Sequence, residues 1–273
     1  KYKTLRGFKK EKMYEMFQRL EFKKEWYIPL FSLCKKLKID FLSSAADIGS
    51  INILKKIGCK AIKLASEDII NYPLLKYLSK KKIHVILSTG MADENEIKAA
   101  LKILNKCKVS LLHCVSLYPT EEKGLNLNRM LNLKKFGKAV GFSDHSVGAR
   151  APLTAVAMGA EIIEKHFTLS KKLIGPDHLL SMDPKNFENL INSIRKCEIM
   201  LGDGKITPDK KEYSMRKKFR RSIVAKIDIK KGQKFLKSML ALKRPGTGLH
   251  PKYLNKVIGK IAKKKFLKNM QIR

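Results

Sequence analysis

Strand-length apolar runs alternate with helical patterns along the first two hundred residues. The six runs are IDFLSS (39–44), AIKLAS (61–66), HVILST (84–89), VSLLHCV (109–115), AVGFSDH (139–145) and EIIEKHFT (161–168). Stretches with helical spacing lie between them, including residues 91–106 and 151–160. Nearly continuous apolar strands that alternate with helices are typical of parallel strands buried on both faces. The pattern therefore predicts an α/β fold.

Polar residues gather at the C-terminal ends of all six runs. They include Ser43, Ser44, Lys63, Ser66, Ser88, Thr89, His113, Ser116, Ser143, His145, Lys165 and His166. A (β/α)8 barrel builds its active site from these strand ends, whereas a doubly wound sheet concentrates its site at one switch point, usually beside a glycine-rich turn. The sequence has no GxGxxG or Walker motif. The pattern favours a (β/α)8 TIM barrel.

The number of runs is two short of a complete barrel. The first recognisable element is a helix at 25–38, which leads directly into the first run. We therefore expect that the first two βα units are missing from this chain. An incomplete or differently closed sheet is the alternative.

The amino-acid composition of the chain changes after about residue 200. Glycine, proline and charged residues predict a linker over 201–218, between a barrel domain at 1–200 and a small β-rich module at 219–273. Short β-like runs and turn signals fill this module, which is too small to be very stable alone.

Charge, apolar runs and cysteines exclude several classes of protein. The net charge is +35, from 59 Lys and Arg against 24 Asp and Glu. Because the basic runs are short and lie between apolar segments, we interpret them as solvated faces and expect no specific nucleic-acid binding. The sequence has no uninterrupted run of 18 apolar residues, so we expect no membrane span. The five cysteines are scattered and form no CxxC pair, which indicates free thiols in a reducing cytoplasm.

Two histidines at strand ends are the strongest candidates for chemistry. His145 and His166 end the fifth and sixth runs, and Asp177 follows in the next loop. Neighbouring barrel strands aim such imidazoles at one divalent ion, with the aspartate as a further ligand. His178 is a weaker candidate because of its loop position. A lone strand histidine is more often a satisfied core residue, but two on adjacent strands favour a metal site.

Lys63 indicates an anion pocket. A lysine at an inward strand end is costly to bury unless it meets an anion, and the neighbouring hydroxyls supply further donors. Each serine taken alone is better explained as a cap or turn residue. Glu67 and Asp68 follow Lys63, and either a general acid–base role or a solvated loop explains them. Arg244, in KRPGTG, suits carboxylate or carbonyl recognition, although on local evidence alone a surface turn is the better explanation.

Six ordered motifs resemble the bacterial sialic acid synthase family. They are KLASEDIINYPLL, VILSTGMA, LLHCVSLYPT, GFSDHSVG, IEKHFTLS with GPDH, and RRSIVA with DIKKG and KRPGTG. The resemblance implies a (β/α)8 barrel followed by an antifreeze-like SAF domain. It also implies a metal-dependent transferase that forms a carbon–carbon bond between phosphoenolpyruvate and an N-acetylmannosamine-type sugar.

The resemblance assigns roles to particular positions. His145 and His166 match ligands of Mn²⁺ or Mg²⁺, Asp177 matches an aspartate near the metal, and Asp68 stands where the family has a catalytic Glu or Asp. Substrate-binding candidates are Ser44, Lys63, Ser66, Ser88, Ser116, Tyr118, Ser143 and Arg244. Among these, Tyr118 matches a sugar contact. Arg244 matches an arginine that reaches the partner's barrel in a domain-swapped homodimer.

Departures from the family pattern limit what the resemblance implies. SSAAD at 43–47 replaces the usual STPFD, and Glu67 replaces a glycine. The family's metal-proximal glutamate and a phosphoenolpyruvate-binding lysine, on its first two strands, have no counterparts here. The GPDH motif favours an N-acetylneuraminate or legionaminate product. A truncated, catalytically weak sugar- or phosphate-binding relative is the alternative.

Overall fold

The structure is a computed structural model that describes residues 2–4 and 7–273, with side chains from residue 10 onwards. It divides into two compact units, Lys1–Gly202 and Asp203–Arg273. Each unit is described by itself.

The first unit is built on a five-stranded parallel sheet. Its strands lie in chain order as β3 (Ala61–Leu64), β4 (His84–Ser88), β5 (Val109–Cys114), β6 (Ala139–Asp144) and β7 (Ile163–Lys165). The associated helices are α2 (Tyr27–Lys36), α3 (Ile48–Ile57), α4 (Tyr72–Lys81), α5 (Glu94–Ile103), α6 (Arg129–Lys134), α7 (Arg150–Ala157) and α8 (Pro184–Leu201). The predicted alternation of parallel strands and helices is confirmed.

The first predicted strand, 39–44, is wrong as a full strand. Ser44 forms a single parallel bridge with Lys63, supported by hydrogen bonds from Ala45 N to Lys63 O (3.1 Å) and from Lys63 N to Ser43 O (3.3 Å). Ile39 and Leu42 are exposed. Apolar composition alone is not enough for a strand, since the backbone also needs a partner along its length.

Two elements near the N-terminus were not predicted from the sequence. Strands β1 (Tyr2–Thr4) and β2 (Gly7–Lys9) pair as an antiparallel hairpin, and helix α1 (Met13–Leu20) follows them. Helix α1 carries no side-chain cap, and none of its residues is buried. Without a cap signal, the sequence offered little to mark where this helix begins.

Side-chain alternation gives the sheet two different faces. The face beneath the helices is apolar and includes Ile62, Leu64, Val85, Leu87, Leu111, Val140 and Phe142. The opposite face begins with an apolar layer, defined as Ala61, Ile86, Leu112 and Ile162. Two residues further along the strands comes a polar layer, defined as Lys63, Ser88, Cys114, Ser143 and Glu164. Polar side chains are thus directed to the C-terminal ends of the strands.

Side-chain caps fix where several helices begin. Asp47, Asn71 and Asp183 accept hydrogen bonds from backbone N–H groups in the first turns of α3, α4 and α8. Asp93 and Glu96 form a capping box at α5. These caps fix the point at which the chain leaves each strand-end loop.

The second unit is a small β-rich module. Strands β8 (Ser222–Ala225) and β9 (Leu240–Lys243) pair antiparallel, and isolated bridges join Val224 to Gln271 and Ile229 to Phe266. Its separate core contains Ile223, Ala225, Ile229, Phe235, Leu240, Val257, Ala262, Phe266 and Ile272. A short helix, α10 (Leu254–Val257), completes it.

The predicted linker over 201–218 is partly helical. Helix α9 (Lys210–Phe219) begins after Asp209, whose side chain accepts a hydrogen bond from Glu212 N at 2.8 Å. The glycine and proline residues of this segment indicated a linker, so Asp209 was not recognised as the cap at which the helix begins.

The five cysteines are free thiols, and Cys59, Cys107 and Cys114 are buried.

Among the described residues, no helix combines the length and the apolar character that are needed to span a bilayer.

Candidate active site

The polar layer is joined by contacts centred on Lys63. Its Nζ donates to Ser88 Oγ at 2.8 Å and to Leu64 O at 3.0 Å, and it lies 3.6 Å from Glu164 Oε2. Ser143 Oγ donates to the other carboxylate oxygen, Glu164 Oε1, at 2.6 Å. Lys63 is only 9% exposed, so the hydroxyl and the carboxylate offset the cost of removing its charge from water. Three predicted residues, Lys63, Ser88 and Ser143, are therefore brought together.

Glu164 is a member of this group that the sequence analysis missed. It stands two residues before His166 on β7 and was taken as part of an apolar run. Residues two apart on a strand share a face, so the inward direction assigned to His166 also applies to Glu164. That spacing is the signal that would have identified it.

A second group forms around Gly90, just beyond β4. Gly90 N donates to Ser66 Oγ at 3.1 Å, and Ser66 Oγ lies 3.5 Å from Cys114 Sγ. A Cβ at Gly90 would lie 2.4 Å from Ser116 Oγ and 2.7 Å from Ser66 Oγ. Because only glycine permits this approach, residue 90 brings the two predicted serines together.

The two histidines face one another. Their ring centroids are 5.2 Å apart, at an interplanar angle of 77°. His145 Nδ1 lies 2.7 Å from Val115 O, which can only accept, so Nδ1 carries the proton and Nε2 keeps its lone pair. Burial lowers the pKa of His145, which favours the neutral ring.

Tyr118 covers this pair of imidazoles. Its ring stacks on His145 at 4.1 Å and meets the ring of His166 edge-on at 5.6 Å. Burial raises the pKa of Tyr118 to about 12, with further contributions from Cys114 and Asp177. The phenol therefore stays protonated at neutral pH and keeps a hydrogen to donate.

Asp177 lies beside the second imidazole, with its Oδ2 3.7 Å from His166 Nδ1. Its backbone carbonyl accepts from Ser181 Oγ at 2.7 Å, which holds the loop. The weaker candidate, His178, is occupied elsewhere, since its Nδ1 lies 2.8 Å from Thr168 Oγ1.

The suitability of this site for a metal can be judged from its donors. Within residues 10–273, whose side chains are described, no three His, Cys, Asp or Glu side chains form a ready-made cage. Two adjacent imidazoles with a carboxylate beside one of them are nevertheless suitable donors for a divalent transition metal. These donors fit a metal whose remaining ligands are oxygens from water or a substrate.

Asp68 is buried in the turn after β3. Asn71 Nδ2 donates to its Oδ1 at 3.0 Å. Burial raises the pKa of Asp68, while the hydrogen bond from Asn71 opposes the shift and the charge of Glu67 adds to it. A buried carboxyl group at the end of a strand is a candidate for general acid–base catalysis.

Two predicted substrate-binding residues lie apart from this group. The Ser44 side chain is exposed beside the single bridge to β3. Arg244 belongs to the second unit, where its guanidinium lies 5.4 Å from the centre of the Phe219 ring. The roles of both remain predictions.

His113 and Thr89 point away from the site, although both lie at strand ends. His113 Nε2 lies 2.7 Å from Leu125 O, and its ring stacks on Phe142. Thr89 Oγ1 donates to Leu112 O at 3.0 Å. Both side chains satisfy structural hydrogen bonds.

Comparisons with known proteins identify the family of each part of the chain. The model of the NeuB family matches residues 1–206, and that of the SAF domain matches residues 220–273. The N,N'-diacetyllegionaminic acid synthase of Legionella pneumophila is 41% identical over 90% of this chain and 71% of that protein. The pseudaminic acid synthase of Helicobacter pylori is 34% identical over 95% of this chain and 77% of that protein.

A solved structure is similar as well. The N-acetylneuraminic acid (sialic acid) synthetase from Leptospira borgpetersenii serovar Hardjo-bovis, in complex with citrate, has a TM-score of 0.70 and 39% sequence identity. The match covers 73% of this chain and 71% of that one. Together with the parallel sheet and the C-terminal module, these matches show that the chain belongs to the NeuB family and ends in a SAF domain.

Proposed function

We propose that this protein is a nonulosonic acid synthase that condenses phosphoenolpyruvate with an N-acetylmannosamine-type sugar, giving N-acetylneuraminate or a close relative and phosphate. The supporting observation is that the Lys63 group and the imidazole pair lie at the C-terminal ends of strands of one parallel sheet. The names of the relatives support a nine-carbon acidic sugar as the product class.

Lys63 and the nearby hydroxyls bind phosphoenolpyruvate. The ammonium group of Lys63 is buried, and Ser88 and Ser143 lie within its network of contacts. Ser66, Gly90 N and Ser116 supply further polar groups beside it. Holding the enol phosphate at several points orients its C3 towards the second substrate.

The imidazole pair and Tyr118 bind the carbonyl end of the open-chain sugar. His145, His166 and Asp177 hold Mn²⁺ or Mg²⁺, which, when bound, polarises the aldehyde oxygen. Tyr118 lies beside both rings and offers a protonated hydroxyl, so it positions the sugar next to them.

The atoms of the reaction balance with one water. A bond forms between C3 of phosphoenolpyruvate and C1 of the sugar, and the aldehyde oxygen becomes a hydroxyl after taking up a proton. Water adds its oxygen to C2 of the former enol, and the bond between C2 and the phosphate oxygen breaks. Water loses one proton as it adds to C2 and the other as the C2–O bond to phosphate breaks, and these two protons end on the new hydroxyl and on the departing phosphate. Asp68 accepts the first of them and passes it on.

Phosphate release tests this proposal. The full chain is incubated with Mn²⁺, phosphoenolpyruvate and N-acetylmannosamine, and in parallel with an acceptor that carries a second acetamido group. We expect one phosphate for each nine-carbon acid, identified by mass. Faster turnover of the diacetamido sugar would assign a legionaminate-type product. Binding of either substrate without phosphate release would instead support the catalytically weak relative.

We further propose that Arg244 acts in a homodimer, reaching the barrel of the partner subunit to bind the acyl group of the sugar. Arg244 is exposed, and no carboxylate among the described side chains lies within ion-pair distance of its guanidinium. Arginine's planar fork is suited to carbonyl recognition. An exchange of C-terminal modules between two copies would deliver it.

A mixing experiment tests the dimer. Arg244→Ala should raise the KM for the acceptor more than that for phosphoenolpyruvate. Mixing the Arg244→Ala and His166→Ala chains should restore up to about a quarter of wild-type activity, because some mixed dimers then contain one intact site. Mixtures no more active than the sum of the two variants would contradict the exchange.

A further inference from the structure

A buried ion pair lies on the opposite face of β6 and β7 from the candidate site. Lys165 Nζ lies 2.7 Å from Asp144 Oδ2, and the two side chains are 1% and 0% exposed. Lys165 Nζ also donates to Ser146 O, and Ser146 N donates to Asp144 Oδ1 at 2.8 Å. The pair therefore fixes both strand ends and the turn that follows β6.

The position of this pair relates it directly to the two imidazoles. Asp144 and Lys165 are register partners at the ends of β6 and β7, and His145 and His166 are the residues that directly follow them. Because successive side chains of a strand point to opposite faces, locking the pair on one face aims the two histidines to the other. Their rings meet there, with centroids 5.2 Å apart.

Stability alone does not account for a charged pair at this place. Replacing a buried ion pair by uncharged side chains of similar volume is often neutral or stabilising, whereas removing one partner leaves a costly buried charge. A fully satisfied pair does confer a defined geometry. The neighbouring turn is held by the same two side chains.

We propose that Asp144 and Lys165 are positioning residues that hold His145 and His166 at the separation needed to bind one divalent cation. This inference rests on the metal site of the proposed function. Partners that orient metal-binding histidines typically contribute about 10- to 100-fold to metal affinity when they are intact.

The decisive variant removes both charges together. In Asp144→Asn with Lys165→Met, the amide still accepts from Ser146 N, and no buried charge is left without a partner. We expect this full-length double variant to fold and to bind Mn²⁺ at least about 10-fold more weakly than the wild type, measured by electron paramagnetic resonance without substrates. Wild-type affinity in the folded double variant would overturn the proposal.

A matched control is the exposed pair Lys60–Asp40, whose Nζ and Oδ1 are also 2.7 Å apart but whose side chains are 78% and 65% exposed. Lys60→Met with Asp40→Asn should leave Mn²⁺ affinity unchanged. An equal loss in this control would overturn a specific role for the buried pair. If the buried double variant did not fold, the pair would be a requirement of the fold and the positioning proposal would be wrong.

A second measurement separates this proposal from the proposed function. The imidazole NMR signals of His145 and His166 in the metal-free chain should shift in the buried double variant, while those of His84, at the other end of the sheet, should not. If the signals shift in the double variant but the wild type binds no Mn²⁺, the metal site would be contradicted and the positioning role would still be supported. Unchanged signals would overturn the positioning role whether or not Mn²⁺ binds.

Discussion

One face of the barrel sheet carries two layers of opposite chemistry only two residues apart. Ala61, Ile86, Leu112 and Ile162 pack as an apolar layer, and the next inward position on each of these strands is Lys63, Ser88, Cys114 or Glu164. The apolar layer gains stability by leaving water, whereas each charged member of the polar layer needs a partner to be tolerated there. The same strands therefore carry both the core and the site.

This difference indicates which substitutions affect folding and which affect chemistry. A change in the apolar layer should lower the free energy of unfolding and leave substrate binding alone. A change in the polar layer, or at the imidazoles beyond it, should alter substrate binding or turnover and lower the free energy of unfolding less.

The largest expected effect is on turnover at the imidazole pair. His166→Ala should lower the rate of phosphate release on the order of 10³-fold, because in the proposed reaction His166 would help hold the cation that polarises the aldehyde oxygen. Its thermal unfolding should stay close to that of the wild type, since His166 is partly exposed.

His178→Ala is the matched control for that variant, because His178 is held by Thr168 in the neighbouring loop. It should keep most of the activity. Near-wild-type turnover in His166→Ala would remove His166 from the site.

A paired substitution on β4 compares the two layers directly. Ile86→Ala should lower the free energy of unfolding by about 2–4 kcal/mol through the cavity it leaves, with the KM for phosphoenolpyruvate unchanged. Ser88→Ala should cost about 1 kcal/mol, because Lys63 loses a hydrogen bond, while the KM rises. Urea unfolding and steady-state kinetics of both variants test the contrast, which would fail if Ile86→Ala changed the KM as much as Ser88→Ala does.

A substitution at Gly90 should affect both the free energy of unfolding and the binding of phosphoenolpyruvate. Gly90→Ala should cost about 1–3 kcal/mol, because the new methyl group would overlap Ser116 Oγ and Ser66 Oγ. The same displacement should raise the KM for phosphoenolpyruvate. Gly137→Ala is the control, since no atom lies within 4 Å of a Cβ there and a change would report only its positive φ. Equal kinetic effects in both variants would contradict the crowding explanation.

The smallest expected effect is the pH dependence contributed by Asp68. Burial raises its pKa in the folded state, so the folded protein holds this proton to a higher pH than the unfolded chain does. The carboxyl group therefore favours the folded state most in acid, and this contribution is lost as the pH rises through the folded-state pKa. Relative to wild type, Asp68→Asn should be more stable near pH 7 than near pH 3, as measured by urea unfolding. A difference between the two proteins that did not vary with pH would contradict the raised pKa.

Much of the fold was predictable because buried parallel strands have a simple apolar signature. Five of six runs are strands, each shorter than predicted, because the polar residues at their ends belong to loops. Helices α1 and α9 were missed, since one lacks a cap and the other follows a Gly- and Pro-containing stretch. A parallel bridge between Phe167 and Met182 was also missed, because Phe167 belongs to the sixth run but no predicted run includes Met182.

The candidate site was predictable only as far as side-chain direction could be inferred. Strand ends located Lys63, Ser88, Ser143 and the two histidines, which the structure brings together. His113 lies at a strand end too but faces the helices, since direction depends on register with neighbouring strands. Glu164 was missed although its spacing from His166 indicates its direction, whereas the contact between Asp144 and Lys165 depends on the register of β6 and β7.

The contact between Lys63 and Glu164 has a consequence for ligand selectivity. Because the ammonium group already has an anionic neighbour, an arriving ligand does not meet a bare cation but competes with a resident carboxylate 3.6 Å away. A singly charged metabolite gains little from such an exchange, whereas a doubly charged phosphate ester gains more. With Lys63 binding phosphoenolpyruvate as proposed, this contact would favour that substrate over the abundant monoanions of a cell before the sugar binds.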